Sequence, residues 1–293
     1  MARLEPVRPP PRMLVPFLLT TLATLATLWV LLVASGLPWP AVAPVRDFVL
    51  SLARSRSGRL GSALVLGILI VNMIETSVDP GIASTLGLEF TRLVHRLEGN
   101  LVGLVQDLLL GHRLVSFWAW VYVFLYPALL LAPLFVFHAQ GRPDRVRAYV
   151  GAFLFNYLFA IPFYLFCPVT ETGVSGLGGA VPLLEGIWPG FMDLLRSSSA
   201  PDNCFPSLHT SCSFTVFFFA LRHGGGRFTR IAGACAVLVM ASTWALGIHW
   251  ISDAVAGLGL ALLAARLGPV LAERWETWLE RGAEPVVARP FRD

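Results

Sequence analysis

Lysine is missing from this chain: all 22 basic residues among its 293 are arginine. That absence removes Schiff-base and P-loop lysine chemistry and leaves guanidinium as the fixed cation from which any phosphate clamp must be built. Charge of either sign is scarce, at 14% of residues, and the four cysteines (Cys167, Cys204, Cys212, Cys235) show no CxxC spacing. They sit in or beside apolar runs and read as buried free thiols, with a Cys167–Cys204 bridge across one loop as the alternative. No internal repeat or heptad array is visible. The net charge of +4 is accounted for by arginines flanking apolar runs, so no nucleic-acid partner is expected.

What the chain has in quantity is apolar surface, with 56% hydrophobic residues and a mean hydropathy of +0.69. Such a composition marks a membrane protein. A hydrocarbon core about 30 Å thick needs roughly 20 apolar helical residues to cross it. Backbone groups in lipid must bond to one another, so the crossings are helices. Candidate spans cover residues 13–35, 60–74, 114–138, 148–169, 206–221, 230–248 and 250–267. The predicted fold is therefore all-α, a polytopic membrane helix bundle with six or seven spans, the short 60–74 stretch being the one in question. The basic N-terminus (Arg3, Arg8, Arg12) followed by an over-long apolar run reads as an anchor rather than a cleaved signal.

Between the first two runs, Val45, Phe48, Val49 and Leu52 recur at helical spacing beside Arg46, Asp47, Arg54 and Arg56, as in a helix lying at the interface. From Leu86 onward, Phe90, Leu93, Val94, Leu97, Leu101, Leu104, Val105 and Leu108 trace an amphipathic helix. Its polar face, with Glu89, Arg92, Arg96, Glu98, Gln106 and Asp107, reads as solvated surface, with the wall of a head-group cavity as the alternative. Asn72, Glu75 and Asp79 close the short span without an assigned role. The expected division is 1–112, N-terminal membrane and interfacial helices; 113–268, a catalytic helix bundle; and 269–293, a cytoplasmic tail, partly disordered for its Pro and Arg content.

Arginine placement orients the bundle. Arg142, Arg145 and Arg147 share one short loop, Arg227 and Arg230 another, and Arg274, Arg281, Arg289 and Arg292 follow the last span, so these segments are expected in the cytoplasm. The 170–205 loop and the turn at His249 then face away from it. Seven full crossings would put the arginine-bearing N-terminus outside, against the same rule, unless the second stretch fails to cross.

Two motifs carry chemistry. Asn203-Cys204-Phe205-Pro206-Ser207-Leu208-His209 opens a span, which sets His209 in the first turn of a helix, where unbonded amide groups attract an anion. Gly247-Ile248-His249-Trp250-Ile251-Ser252-Asp253 opens the last span on the same face. If Trp250 begins that helix, His249 and Asp253 stack four residues apart, and an aspartate on one ring nitrogen leaves the other free to attack. A nucleophile on one helix and a proton donor on another are the two parts that phosphoryl transfer requires. The remaining histidines, His95, His112, His138 and His223, read as interfacial. Three other readings of the motifs compete: a two-His, one-carboxylate metal site from His209, His249 and Asp253; an intramembrane serine hydrolase using Ser207 with His249; and a non-enzymatic transporter or lipid-binding protein.

Pro206, Ser207 and His209 resemble the Pro-Ser-Gly-His motif of the type 2 phosphatidic acid phosphatase and haloperoxidase superfamily, with Leu208 in the glycine position. Ser242, His249 and Asp253 resemble its motif of Ser-Arg, five residues, His, three residues, Asp, with Thr243 in the arginine position. The superfamily's first motif, a lysine followed by Arg-Pro, has no complete counterpart, since Arg142-Pro143 lies on the wrong predicted side. The Phe-Pro-Ser-Leu-His form is similar to the branch that includes fungal inositol phosphorylceramide synthase, and the likeness covers roughly residues 114–267. By that resemblance the chain is an integral membrane lipid phosphatase or phosphotransferase, with His249 as the phosphohistidine, His209 as the acid and Asp253 orienting His249. Ser207 and Arg196, the one arginine of the outer loop, are the expected phosphate-binding residues, with Arg92, Arg96 and Arg113 as further cations. Expected partners are a lipid phosphate, the membrane and a small polyol acceptor. Neither motif asks for a metal or cofactor, and the site is expected on the extracytoplasmic face of the plasma membrane.

Overall fold

The computed structural model describes residues 14–37, 42–187, 196 and 199–281, which form an all-α bundle. The order is α1 (Leu14–Ala34), α2 (Val42–Arg54), α3 (Arg56–Leu86), α4 (Thr91–Glu98), α5 (Leu101–Leu108) and α6 (Val115–Trp120). A π turn (Val121–Leu125) joins α6 to α7 (Tyr126–Ala139), after which come α8 (Pro143–Phe166) and the single turn α9 (Thr172–Ser175). The last three helices are α10 (Leu208–His223), α11 (Gly226–Ala245) and α12 (Ile251–Arg281). Six helical segments are long and apolar enough to cross a bilayer: 17–34, 56–79, 115–139, 143–166, 226–245 and 251–281. The protein is an integral membrane protein. At 16 residues α10 is about 24 Å long at 1.5 Å per residue, shorter than the hydrocarbon core, yet it packs between α8, α11 and α12 as the bundle's inner helix.

The second apolar stretch crosses after all. Its helix begins at Arg56, not residue 60, and runs through Asn72, Glu75 and Asp79 to Leu86. Arg56 donates to the Leu279 carbonyl and Ser57 to Glu276 at the far end of α12, while Glu75 accepts from Asn203 at the opposite end. At the far end Gly36, just past α1, lies beside Arg227, so α1 starts at the Asn203 end. The described chain thus makes an odd number of passages. Arg3, Arg8, Arg12, Arg289 and Arg292 fall outside the described residues.

Two further expectations are corrected. The last helix does not stop near residue 267 but continues through Pro269 to Arg281, its Trp275 and Leu279 packing against Ile68 and Leu154 on α3 and α8. Buried apolar contact holds in a helix a stretch whose composition alone suggests partial disorder. The amphipathic stretch is not one helix but α4 and α5, broken where Gly99 takes a positive φ of 58°. Its leucines Leu93, Leu97, Leu104 and Leu108 are exposed together with Arg92, Arg96 and Asp107, whereas Thr91, Val94, Val102 and Gln106 turn in. Gln106 is fully buried because its amide bonds both ways, donating to the Val181 and Ala245 carbonyls and accepting from Val181 N–H. The four cysteines are free.

Helices α8 and α12 form the most extensive pairing. A Cβ on Gly268 would stand 2.2 Å from Ala152 Cα, and one on Gly151 would stand 2.2 Å from the Gly268 carbonyl oxygen. Small residues at the crossing let two backbones approach closely, the usual device of helix association in lipid.

Candidate active site

The two motifs meet at one end of the bundle. Ser207 is the N-cap of α10, its side chain accepting from Thr210 N–H, which places Leu208 and His209 at the first two helical positions, whose amides have no carbonyl one turn back. The Ser207 N–H in turn donates to the carbonyl of Asp253 at 3.1 Å, a backbone tie between the start of α10 and the start of α12. Gly257 makes this approach possible, since a Cβ there would fall 2.7 Å from the Ser207 carbonyl oxygen.

His249 and Asp253 pair, by a geometry other than the expected helical stack. The helix starts at Ile251, leaving His249 in the preceding turn. Asp253 sits in the first turn and reaches back, its Oδ2 accepting from Trp250 N–H at 2.8 Å and lying 3.3 Å from His249 Nδ1. This is half of a capping box, used here to hold a histidine. Both residues are buried. The turn itself is organised by Thr243, whose carbonyl accepts from Ile248 and, more weakly, His249 N–H. Thr243 therefore shapes the backbone but supplies no charge where the resemblance leads one to look for arginine.

His209 faces His249, with ring centroids 5.7 Å apart. It is gripped by two tyrosines from the π turn and its C-terminal edge: Tyr122 stacks on it at 4.4 Å and Tyr126 lies tilted at 4.5 Å. A π turn re-aims the side chains that follow it, and such bulges gather at functional sites. Nothing in either motif pointed to these tyrosines. The signal open to sequence reading was two phenols four residues apart within an apolar span.

Both histidines line a cavity of about 460 Å³ together with Arg196, Glu171, Asn203 and Cys204. Among the described residues Arg196 is the one arginine on its wall. It is not free, for Nη1 and Nη2 donate to the two Glu171 carboxylate oxygens at 2.6 and 2.8 Å, and Nη2 lies 3.4 Å from Glu185. The Glu171 hydrogen bonds push the guanidinium above its ordinary value, so it stays charged. Arg92, Arg96 and Arg113 do not line the cavity, and Arg142 lies at the opposite end, paired with Asp144. Ser207 is fully buried and caps its helix, and it is not among the residues that line the cavity.

Three residues to which the sequence alone gave no part in the site bear on this arrangement. Glu98 of α4 accepts from the N–H groups of Ile251 and Ser252 at 2.8 and 2.6 Å, capping the helix that carries Asp253. Asn203 donates to Glu75 of α3. Cys204, with His249 and Asp253, offers ligand atoms within 4.8 Å of one another, a grouping different from the two-His, one-carboxylate set and without His209. Burial pushes the Cys204 thiol well above its ordinary range, and its Sγ lies 3.5 Å from the Ile248 carbonyl as a weak donor. A metal there would have to displace the thiol proton and the contact between His249 Nδ1 and Asp253.

A family model for the PAP2 superfamily matches residues 88–267, more than half of the chain and all of the cavity wall except α3. The chain belongs to the PAP2 superfamily. Membership supports a phosphatase-type membrane enzyme. The PAP2 region begins before the expected residue 114 and takes in α4 and α5, which the Glu98 and Gln106 hydrogen bonds tie to the site. No curated protein and no solved structure gives a significant match.

Proposed function

We propose that the protein cleaves a lipid phosphate or phosphodiester through a phosphohistidine on His249. The observation that carries this reading is the buried His249–Asp253 pair facing His209 across one cavity. With Nδ1 turned to Asp253, the ring presents Nε2 to substrate. Nε2 attacks phosphorus, the P–O bond to the leaving alcohol breaks, and its electron pair leaves with that oxygen, to which His209 gives a proton. Asp253 stabilises the imidazolium character that attack creates. In the second half-reaction His209 takes a proton from water or an alcohol such as inositol. The oxygen attacks phosphorus, the P–N bond breaks and its pair returns to His249. The likeness to the inositol phosphorylceramide synthase branch favours an alcohol acceptor.

Spread negative charge on the transferring group calls for a cation, and Arg196 is in position to supply it once phosphate competes for the guanidinium that Glu171 now holds. Ser207 acts indirectly, setting the helix start that aims His209. The site is assigned to the extracytoplasmic side of the plasma membrane. Arg56, Arg145, Arg147 and Arg227 lie at the far end, while Arg196 lies on the cavity wall at the site end.

The direct test offers purified protein in lipid micelles a panel of phospholipid and polyprenyl phosphate donors, with and without inositol, beside His249→Ala. Free phosphate or a new phosphodiester that the variant fails to make supports the reading, and the product's identity separates hydrolysis from transfer. Turnover that survives the substitution overturns it.

A further inference from the structure

The two histidines of the cavity are held by different means. His249 has a carboxylate beside it, with Asp253 Oδ2 lying 3.3 Å from its Nδ1. The ring of His209 instead meets other rings: Tyr122 at 4.4 Å between centroids with 24° between planes, Tyr126 at 4.5 Å with 41°, and His249 at 5.7 Å. Tyr122 sits in the π turn and Tyr126 opens the helix that follows it. The Tyr126 hydroxyl also reaches the carbonyl of Leu208, the residue before His209, at 3.5 Å. Both phenols line the cavity beside the histidines.

Among the described residues no carboxylate around His209 is spare. Asp253 is taken up by His249 and by the Trp250 N–H. Glu171 accepts from Arg196 through both of its oxygens, and Glu185 lies against the same guanidinium. The other ionisable neighbours are Tyr157 and Tyr164 of α8, Cys204 on the wall and Cys212 one turn along α10, and phenols and thiols carry no charge below about pH 8. Helix α11 adds no ionisable side chain to the wall. An imidazolium at position 209 therefore has aromatic faces against it in place of a counter-ion. A cation within about 6 Å of a ring centroid is attracted to the negative face of the ring, most strongly where water is excluded. Unlike a salt bridge, that attraction occupies neither N–H of the imidazolium, so both remain free to donate to a leaving oxygen.

We propose that Tyr122 and Tyr126 are positioning residues that aim His209 and keep it protonated by cation–π contact, in the place where a carboxylate would otherwise stand. This rests on the reading of His209 as the proton donor of the phosphoryl-cleaving pair. It divides the two roles by environment: the histidine with a carboxylate attacks, and the histidine with ring faces gives up a proton.

The test weakens the ring face while keeping its shape. Tyr122→Phe is followed by mono-, di- and trifluorophenylalanine at the same position, which withdraw electron density from the face step by step. The full chain, carrying isotope-labelled histidine, is titrated in micelles by NMR, with the His209 signal assigned by its loss in His209→Gln. The His209 midpoint is expected to hold in Tyr122→Phe and to fall by about one pH unit across the fluorinated series, a tenfold loss of proton affinity. The same series at Tyr126 should act in the same direction. A midpoint that stays in place through both series overturns the proposal. Because the acid works in its protonated form, the alkaline limb of kcat should move to lower pH by the same amount, with KM little changed. The NMR readout needs no turnover, so a midpoint that falls while the limb stays fixed overturns the proton-donor reading and leaves the tyrosine contact standing, which keeps the two failures apart.

Discussion

The amide of Ser207 donates to the carbonyl of Asp253 at 3.1 Å, so the residues that open α10 and α12 are joined through their backbones. His209 and His249 stand on either side of that tie, and their separation is set by main-chain geometry rather than by the reach of flexible side chains.

The proposed chemistry makes different demands on the three residues. His249→Ala should lower turnover by at least about 10⁴-fold and Asp253→Asn by roughly 10²–10⁴-fold, since the aspartate orients the ring without forming the new bond. His209→Gln, given a donor with an acidic leaving alcohol, should accumulate phosphate on His249 as an acid-labile, base-stable adduct. Rapid-quench labelling reads this directly, and an adduct that forms equally in His249→Ala would show that the nucleophile lies elsewhere.

Arg196 is held by the two parallel hydrogen bonds it donates to Glu171, a planar arrangement that an ammonium group cannot copy. Arg196→Ala should cost about 10²–10³-fold in kcat/KM, the size of loss seen when one donor to a developing oxyanion is removed. Arg196→Lys should recover only a small part of it. Full activity in Arg196→Ala would assign the cation to another group.

Glu98 caps the helix that carries Asp253 from a separate helix, so it acts as a positioning residue. Glu98→Ala should lower stability by about 1 kcal/mol, as loss of a helix cap does, and reduce kcat more than it changes KM. Glu98→Gln keeps one acceptor oxygen and should restore part of kcat. An Ala variant altered in stability alone would confine Glu98 to folding.

The α8–α12 crossing depends on glycine. Gly268→Val inserts carbon where even a Cβ would stand 2.2 Å from Ala152, and it should lower Tm and the yield of folded protein by an overpacking cost of at least about 1–3 kcal/mol. Gly259→Ala on the same helix meets nothing within 4 Å and should leave Tm unchanged or raise it. Thermal unfolding in detergent compares the two.

The Cys204 thiol is buried and held protonated beside His249, so activity should persist in EDTA and in Cys204→Ser. Loss of turnover in chelator, restored by a divalent ion, would replace the phosphohistidine reading with a metal-site one.

Much was legible in the sequence because it depends on local pattern. Apolar runs of sufficient length must become helices in lipid, and arginine placement distinguishes the two ends of the bundle. His209, His249 and Asp253 were legible because each lies within a few residues of a helix start, where short-range geometry dictates what a side chain can reach. The membership of Tyr122, Glu171, Glu98 and Asn203 was not legible, because each meets the site through a contact between helices far apart in sequence, and no spacing rule connects Tyr122 to His209 or Glu98 to Ile251. The outward turn of the α4–α5 leucines, the full length of α3 and the helix continuing through Pro269 were likewise decided by packing. Burial against a distant helix outweighs the local preferences that periodicity and composition record, and only the tertiary structure brings those partners together.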